Sequence, residues 1–215
     1  MLERFTWFRQ AAMRYSGEGL TIYLDPWGTT PEDEKADVIF ITHAHADHLV
    51  PDEIERLSTP GTKLVATADV AKELSGDVTV VAPGGSYEVG GVRFETVPAY
   101  NIAEHRLDKH PKANGWVGYV LELDGRRYYH SGDTDALPEL ESLSTDVAMV
   151  CIGGDPFVMG PDEAAGLVKK MAPGLAVPMH YGYVVCSPSR ADVFRKLAAP
   201  VPVQILDPTN PFEQP

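Results

Sequence analysis

The chain has 215 residues, 44% of them hydrophobic and 23% charged, with 18 lysines and arginines against 31 aspartates and glutamates. That length and apolar content suit one domain, residues 1–215, with a large core. A net charge of −13 argues against a nucleic-acid partner, because such a surface repels polyanions. No apolar run approaches the roughly 20 residues that span a bilayer, and "MLERFTWFRQAAMRYSGEG" lacks the long apolar run of a signal peptide. The two cysteines, Cys151 and Cys186, form no C-x-x-C pair and read as reduced thiols. A cytoplasmic protein is expected, and the sequence leaves a homo-oligomer open.

In chain order, "FTWF", "AAMRYS" and "LTIYLDP" read as short strands, the last two separated by the turn signal "GEG". "ADVIFIT" (36–42) is apolar and rich in β-branched residues, as a buried strand should be. It ends directly at His43. "PDEIERL" (51–57) opens with Pro and acids and reads as a helix. "TKLVAT" then reads as a strand and "ADVAKEL" as a helix. "DVTVVAP", "GSYEV" and "VRFETVPAY" are strands, the last two joined by a hairpin at Gly90-Gly91. "WVGYVLEL" and "RRYYHSGD" flank Asp124-Gly125, the strongest hairpin signal in the chain. Then the pattern alternates: strand "DVAMVCIGG", helix "PDEAAGLVKKM", strand "GLAVPMHYG", helix "SRADVFRKLA". The Pro-rich tail "DPTNPFEQP" is expected to be loose. Two halves that each mix hairpins with strand–helix units predict an α/β fold of two sheets packed face to face, with helices outside.

Polar residues collect at strand ends, where layered α/β folds bind ligands. Asp25 follows "TIYL", Asp133 follows "RRYYHSG", and His180 follows "LAVPM". The densest group is "ITHAHADH" (41–48), which holds three of the chain's seven histidines beside Asp47. His43 and His45 point the same way from an extended segment, since side chains alternate with period two. Imidazoles with carboxylates suit zinc, iron, manganese or nickel, whereas calcium wants oxygens. One ion cannot take His43, His45, Asp47 and His48 with good geometry and still leave a position for water. Two divalent ions sharing the cluster, zinc first with manganese or iron as alternatives, is the reading adopted, with Asp133 as the candidate bridge.

"THAHADH", "HSGDT" (130–134) and "PMHYG" (178–182), in that order, resemble the metallo-β-lactamase superfamily. "PAYN", "HPKANGWVGYVLELDG", "IGGDPFVMGPDEAA" and "MHYG" are similar to its small single-domain metal-dependent hydrolases, which include ascorbate-6-phosphate lactonase-like and N-acylphosphatidylethanolamine phospholipase-like proteins. The likeness runs from about "LDPW" to "MHYG". It implies a four-layered αβ/βα sandwich of two mixed sheets with the site along one edge. It also implies that His43 and His45 hold one metal and that Asp47, His48 and His180 hold a second. Asp133 would bridge the two, and Asp25 would orient a ligand histidine. The superfamily usually places a further ligand histidine where this chain has Tyr100, in "PAYN". His110 is the expected substitute and His105 the weaker one.

The chemistry expected is hydrolysis by a metal-bound hydroxide, with Asp47 orienting it and carrying its proton. Tyr100, Asn101, Lys112 and Tyr181 are the candidate substrate contacts. His130 is expected to be packed rather than a ligand, Asp155 to reach the rim or cap a turn, and Trp116 and Tyr119 to be core aromatics. The basic loop with Arg106, Lys109, His110 and Lys112 hints at a small anionic ester, lactone or phosphodiester. The rivals are an iron-dependent oxidoreductase on the same fold and a non-catalytic metal-binding protein.

Overall fold

A computed structural model describes residues 1–17 and 19–214. Glu18, the centre of the expected "GEG" turn, lies outside the described residues. The first six strands form one sheet in sequence order: β1 (Phe5–Trp7), β2 (Met13–Gly17), β3 (Leu20–Leu24), β4 (Val38–Ile41), β5 (Lys63–Thr67) and β6 (Val78–Val81). Pairing is antiparallel from β1 to β3 and parallel from β3 to β6. The second sheet has the order β12-β11-β10-β9-β8-β7. Its strands are β7 (Ser86–Val89), β8 (Val92–Pro98), β9 (Val117–Leu123), β10 (Arg126–His130), β11 (Val147–Cys151) and β12 (Leu175–Met179). There β7 to β10 form an antiparallel meander and β10 to β12 run parallel. Both sheets are therefore mixed, as expected.

Strand β4 shows why the layers stack. All four of its residues are buried, and they alternate between two cores. Val38 and Phe40 face the second sheet, where the Phe40 ring meets Phe94 edge-on at 4.9 Å and Tyr119 at 5.1 Å. Ile39 and Ile41 face outward and pack with Ile54 and Leu57 of α1 (Pro51–Leu57). Period-two alternation thus gives one strand two apolar faces. On the far side α2 (Pro161–Met171) buries Ala164, Ala165, Leu167, Val168 and Met171, the stripe expected of a helix covering a sheet. Helix α3 (Arg190–Leu197) packs against α2 and buries Phe194.

Two expectations are corrected. "ADVAKEL" forms only a single 3-10 turn, Val70–Lys72. Val70 is its one fully buried side chain, too little apolar contact to hold a longer helix. The C-terminal tail is docked rather than loose. Phe212 packs on Trp7, Tyr181 and Tyr183, and Asn210 donates to the carbonyls of Phe8 and Gly28. Among the described residues no helix is long and apolar enough to cross a membrane. Phe40→Ala is expected to cost about 3–5 kcal/mol, because the cavity it leaves sits where the two sheets meet. Urea unfolding followed by circular dichroism would measure the loss.

Candidate metal centre

The C-terminal ends of β3, β4, β10 and β12 deliver Asp25, His43, Asp133 and His180 to one edge of the sandwich. There the ligand-type atoms of His43, His45, His110 and Asp133 lie within 4.8 Å of one another, as do those of Asp47, His48 and His180. Asp133 sits against both groups. Its Oδ2 is 3.2 Å from His110 Nε2, 3.1 Å from His180 Nε2 and 3.9 Å from His43 Nε2. Its Oδ1 is 3.4 Å from His48 Nε2.

Local chemistry aims the imidazoles inward. Asp25, with φ at +45°, accepts from the Thr42 amide at 2.8 Å and the Thr42 hydroxyl at 2.6 Å. The same carboxylate lies 2.7 Å from His48 Nδ1. Since the Thr42 hydroxyl donates to Asp25, its oxygen is left to accept from His43 Nδ1 at 2.9 Å. His110 Nδ1 donates to the Phe157 carbonyl at 3.1 Å. With Nδ1 carrying the proton, Nε2 of His43, His48 and His110 presents a lone pair to the cluster, the usual arrangement around a metal.

The donor set fits a divalent cation on its own evidence. His48 Nε2, His110 Nε2 and Asp133 Oδ1 are buried with no hydrogen-bond partner among the described residues, although buried polar atoms are nearly always satisfied. His43 Nε2 and His45 Nδ1 face each other at 3.1 Å. Burial pushes the His43 and His45 imidazoles down, favouring the neutral form that binds metal. Burial disfavours the Asp133 anion, yet the His180 and His48 imidazoles outweigh it and hold its carboxyl well below the usual range. For His180, burial likewise opposes the charge, but Asp133 and Asp47 lift it to about 9.

The two loop histidines are placed differently. His110 joins the first group, whereas His105 is exposed and paired with Asp155 at 2.6 Å. Tyr100 turns away from the cluster, its hydroxyl donating to Glu139 at 2.7 Å and accepting from Lys112 at 3.0 Å. What holds the His110 loop is Arg106, a buried guanidinium that reaches three carboxylates. It donates to Asp135 at 2.6 Å, to Asp155 at 2.8 Å and to Glu163 at 2.6 Å. Asn101 adds bonds to the Arg106 and Phe157 carbonyls.

A cavity of about 270 Å³ opens over the cluster, lined by His45, Ala46, Asp47, Lys109, His110, Asp133, Phe157, His180 and Val184. The four expected substrate contacts are not in that lining. Tyr100 and Lys112 bond each other, Asn101 sits behind His110, and Tyr181 is buried against Trp7 with ring centroids 5.1 Å apart. A larger hollow of about 510 Å³, with Arg106, Asp155 and Cys186 in its wall, contains none of the seven ligand-type side chains. His130 is packed as expected, lying 2.8 Å from the Ala11 carbonyl, and Tyr119 is a core residue. Trp116 is buried as expected and also borders the cluster: its ring stands 4.8 Å from His43 and 4.9 Å from His45, and its indole donates to Asp69 at 2.6 Å. Gln10 was not singled out in the sequence. It is fully buried, and its side-chain amide lies 3.0 Å from Asp47 Oδ2 and 3.2 Å from His180 Nε2. A lone glutamine in the loop between two strands carries no motif that would have exposed it.

Known proteins agree with this architecture. The family model described as a beta-lactamase superfamily domain matches residues 4–180. A UPF0173 metal-dependent hydrolase of Thermococcus onnurineus is 38% identical over 192 residues, covering 82% of this chain and 84% of its own. One from Methanopyrus kandleri is 32% identical and covers 98% of this chain and all of its own. Among solved structures, a protein from Parabacteroides distasonis, also described as a metal-dependent hydrolase, superposes with a TM-score of 0.84 at 28% identity, covering 95% of this chain and 93% of its own. The fold and the histidine-rich edge are thus those of a metallo-β-lactamase sandwich. The chain belongs to the beta-lactamase superfamily and, within it, to the metal-dependent hydrolases that these relatives represent.

Arg106→Ala is expected to lower the metal held per chain and to destabilise the fold by about 3 kcal/mol, since it strands the buried Asp135 carboxylate. Arg106→Lys should recover only part of this, because an ammonium cannot reach three partners with a planar fork. Metal analysis and thermal unfolding of both variants would check it.

Proposed function

We propose that the chain binds two divalent ions, zinc foremost, and hydrolyses a small anionic ester, lactone or phosphodiester. The observation that carries this reading is the convergence of partnerless buried nitrogen and oxygen atoms on the floor of a cavity. In it, His43, His45 and His110 hold the first ion, Asp47, His48 and His180 hold the second, and Asp133 is shared between them. A divalent ion in such a donor set acts as a Lewis acid and brings the ionisation of water within reach of neutral pH.

The chain's own residues supply the rest. Asp47 lines the cavity and is held strongly acidic: burial opposes its charge, but His48 and His180 outweigh it. It is therefore an anion across the neutral range, suited to accepting a hydrogen bond from the nucleophilic water and orienting it. Of the four basic side chains of the loop, Arg106 is locked among carboxylates and Lys112 is turned to Tyr100. Lys109 and His110 remain on the cavity wall.

Plasma mass spectrometry of protein purified without chelator should find about two zinc or manganese ions per chain. One ion would favour a mononuclear site, and iron as the main metal would favour the oxidoreductase. No metal, even after reconstitution, would remove the reading. Asp47→Asn should abolish turnover in a chromogenic ester and phosphodiester screen without loss of fold by circular dichroism. His110→Ala should lower metal occupancy and His105→Ala should not; equal occupancy would reject His110 as a ligand.

A further inference from the structure

The cavity is not chemically even, and its unevenness specifies a substrate shape. Apart from the ligand-type side chains, its wall consists of Ala46, Phe157 and Val184, all apolar, and Lys109. Lys109 is thus the one lysine or arginine in that wall. Its ammonium is partly exposed and, among the described residues, pairs with the neighbouring Asp108 alone, at 2.9 Å, an exposed pair that contributes little. Lys109 adjoins His110 in sequence, and Val184 lies in the loop that follows His180. A volume of about 270 Å³ falls below the range of drug-sized sites.

We propose, resting on the hydrolase reading above, that the preferred substrate is a small amphiphilic ester. Its anionic group, separate from the bond that is cleaved, pairs with Lys109, and its apolar arm lies along Phe157 and Val184. Hydrolysis adds water across the acyl–oxygen bond: the acyl carbon gains hydroxyl, the leaving oxygen gains the proton, and no other reactant is needed.

The test compares two nearly isosteric probes on the metal-loaded protein, mono-4-nitrophenyl glutarate and 4-nitrophenyl pentanoate, which differ in a terminal carboxylate. The wild type should favour the carboxylate ester in kcat/KM by roughly tenfold, the scale of one charged contact. Lys109→Ala should erase that ratio and Lys109→Glu should invert it. Because each ratio is taken on a single protein sample, partial misfolding cancels. A wild-type ratio near one, or a ratio untouched by Lys109→Glu, overturns the assignment of Lys109. Turnover of neither probe by wild-type protein that holds its metal overturns the amphiphilic-ester assignment, and the hydrolase reading itself falls only if the phosphodiester screen also fails.

A separate observation concerns Gln10. It is fully buried and holds φ at +45°, a conformation rare for residues other than glycine. Its carbonyl accepts from the Trp7 indole at 2.9 Å and from the His180 amide at 2.8 Å, which explains how the strained backbone is kept. The side chain reaches Asp47 and His180, two members of one ligand group that lie 133 residues apart (180 − 47). The geometry points to Gln10 as a positioning residue that fixes the Asp47 carboxylate against His180.

Gln10→Asn keeps a carboxamide and tolerates the left-handed backbone, but it is one methylene too short to reach Asp47. It should weaken binding of the second metal equivalent in a zinc titration and lower kcat far more than it changes KM. Gln10→Glu keeps the reach but cannot donate to the Asp47 carboxylate, so it should leave kcat as low as the Asn variant does. Wild-type values of both metal affinity and kcat in Gln10→Asn would overturn the assignment.

Discussion

A single buried carboxylate organises this molecule's chemistry. Asp133 lies within 4 Å of imidazole nitrogens from His43, His48, His110 and His180, so it touches both groups of ligand-type side chains. An anion with almost no solvent access is stable only where positive charge compensates its lost hydration. His180, lifted by Asp133 and Asp47, supplies part of that charge, and one of the Asp133 oxygens has no hydrogen-bond partner among the described residues. Around it, Thr42, Asp25 and the Phe157 carbonyl fix the outward nitrogens of three histidines. The centre is built to hold cations before any substrate arrives, and its cost in burying charge is the reason a metal belongs there.

Much of this was readable from residue order. The two mixed sheets followed from hairpin signals and strand–helix alternation, because period-two burial is a local property of strands such as β4. The clustering of ligand-type side chains was readable because H-x-H-x-D-H is local, and because Asp133 and His180 each close an apolar strand. What could not be read was whatever depends on side chains meeting across the fold. Trp116 reads as a core aromatic and is buried, but nothing in the sequence shows that it stands beside His43 and His45. The tail looks loose until Phe212 finds Trp7. Gln10 carries no signal at all, because its partners, Asp47 and His180, are remote in sequence.

The substitution at the end of β8 shows how a loop takes over from a strand. A strand-end residue is held by its ladder, and Tyr100 keeps that place while pointing its hydroxyl at Glu139 and Lys112. His110 comes instead from an irregular segment, which has no ladder to fix it. The compensation is electrostatic and polar: Arg106 ties the segment to Asp135 on one side and to Asp155 and Glu163 on the other. Asn101 bridges its two ends. Positional accuracy that backbone pairing normally supplies is supplied here by a buried guanidinium.

The division of the ligands between the two sheets bears on how the chain assembles. His43, His45, Asp47 and His48 follow a strand of the first sheet, while Asp133 and His180 follow strands of the second. An unfolded chain can offer a cation the first four as a local chelate, but the full set exists only after the halves have docked. A cation held by the full set would tie the two sheets together. Free-energy linkage then makes metal supply a determinant of how long the two halves stay together.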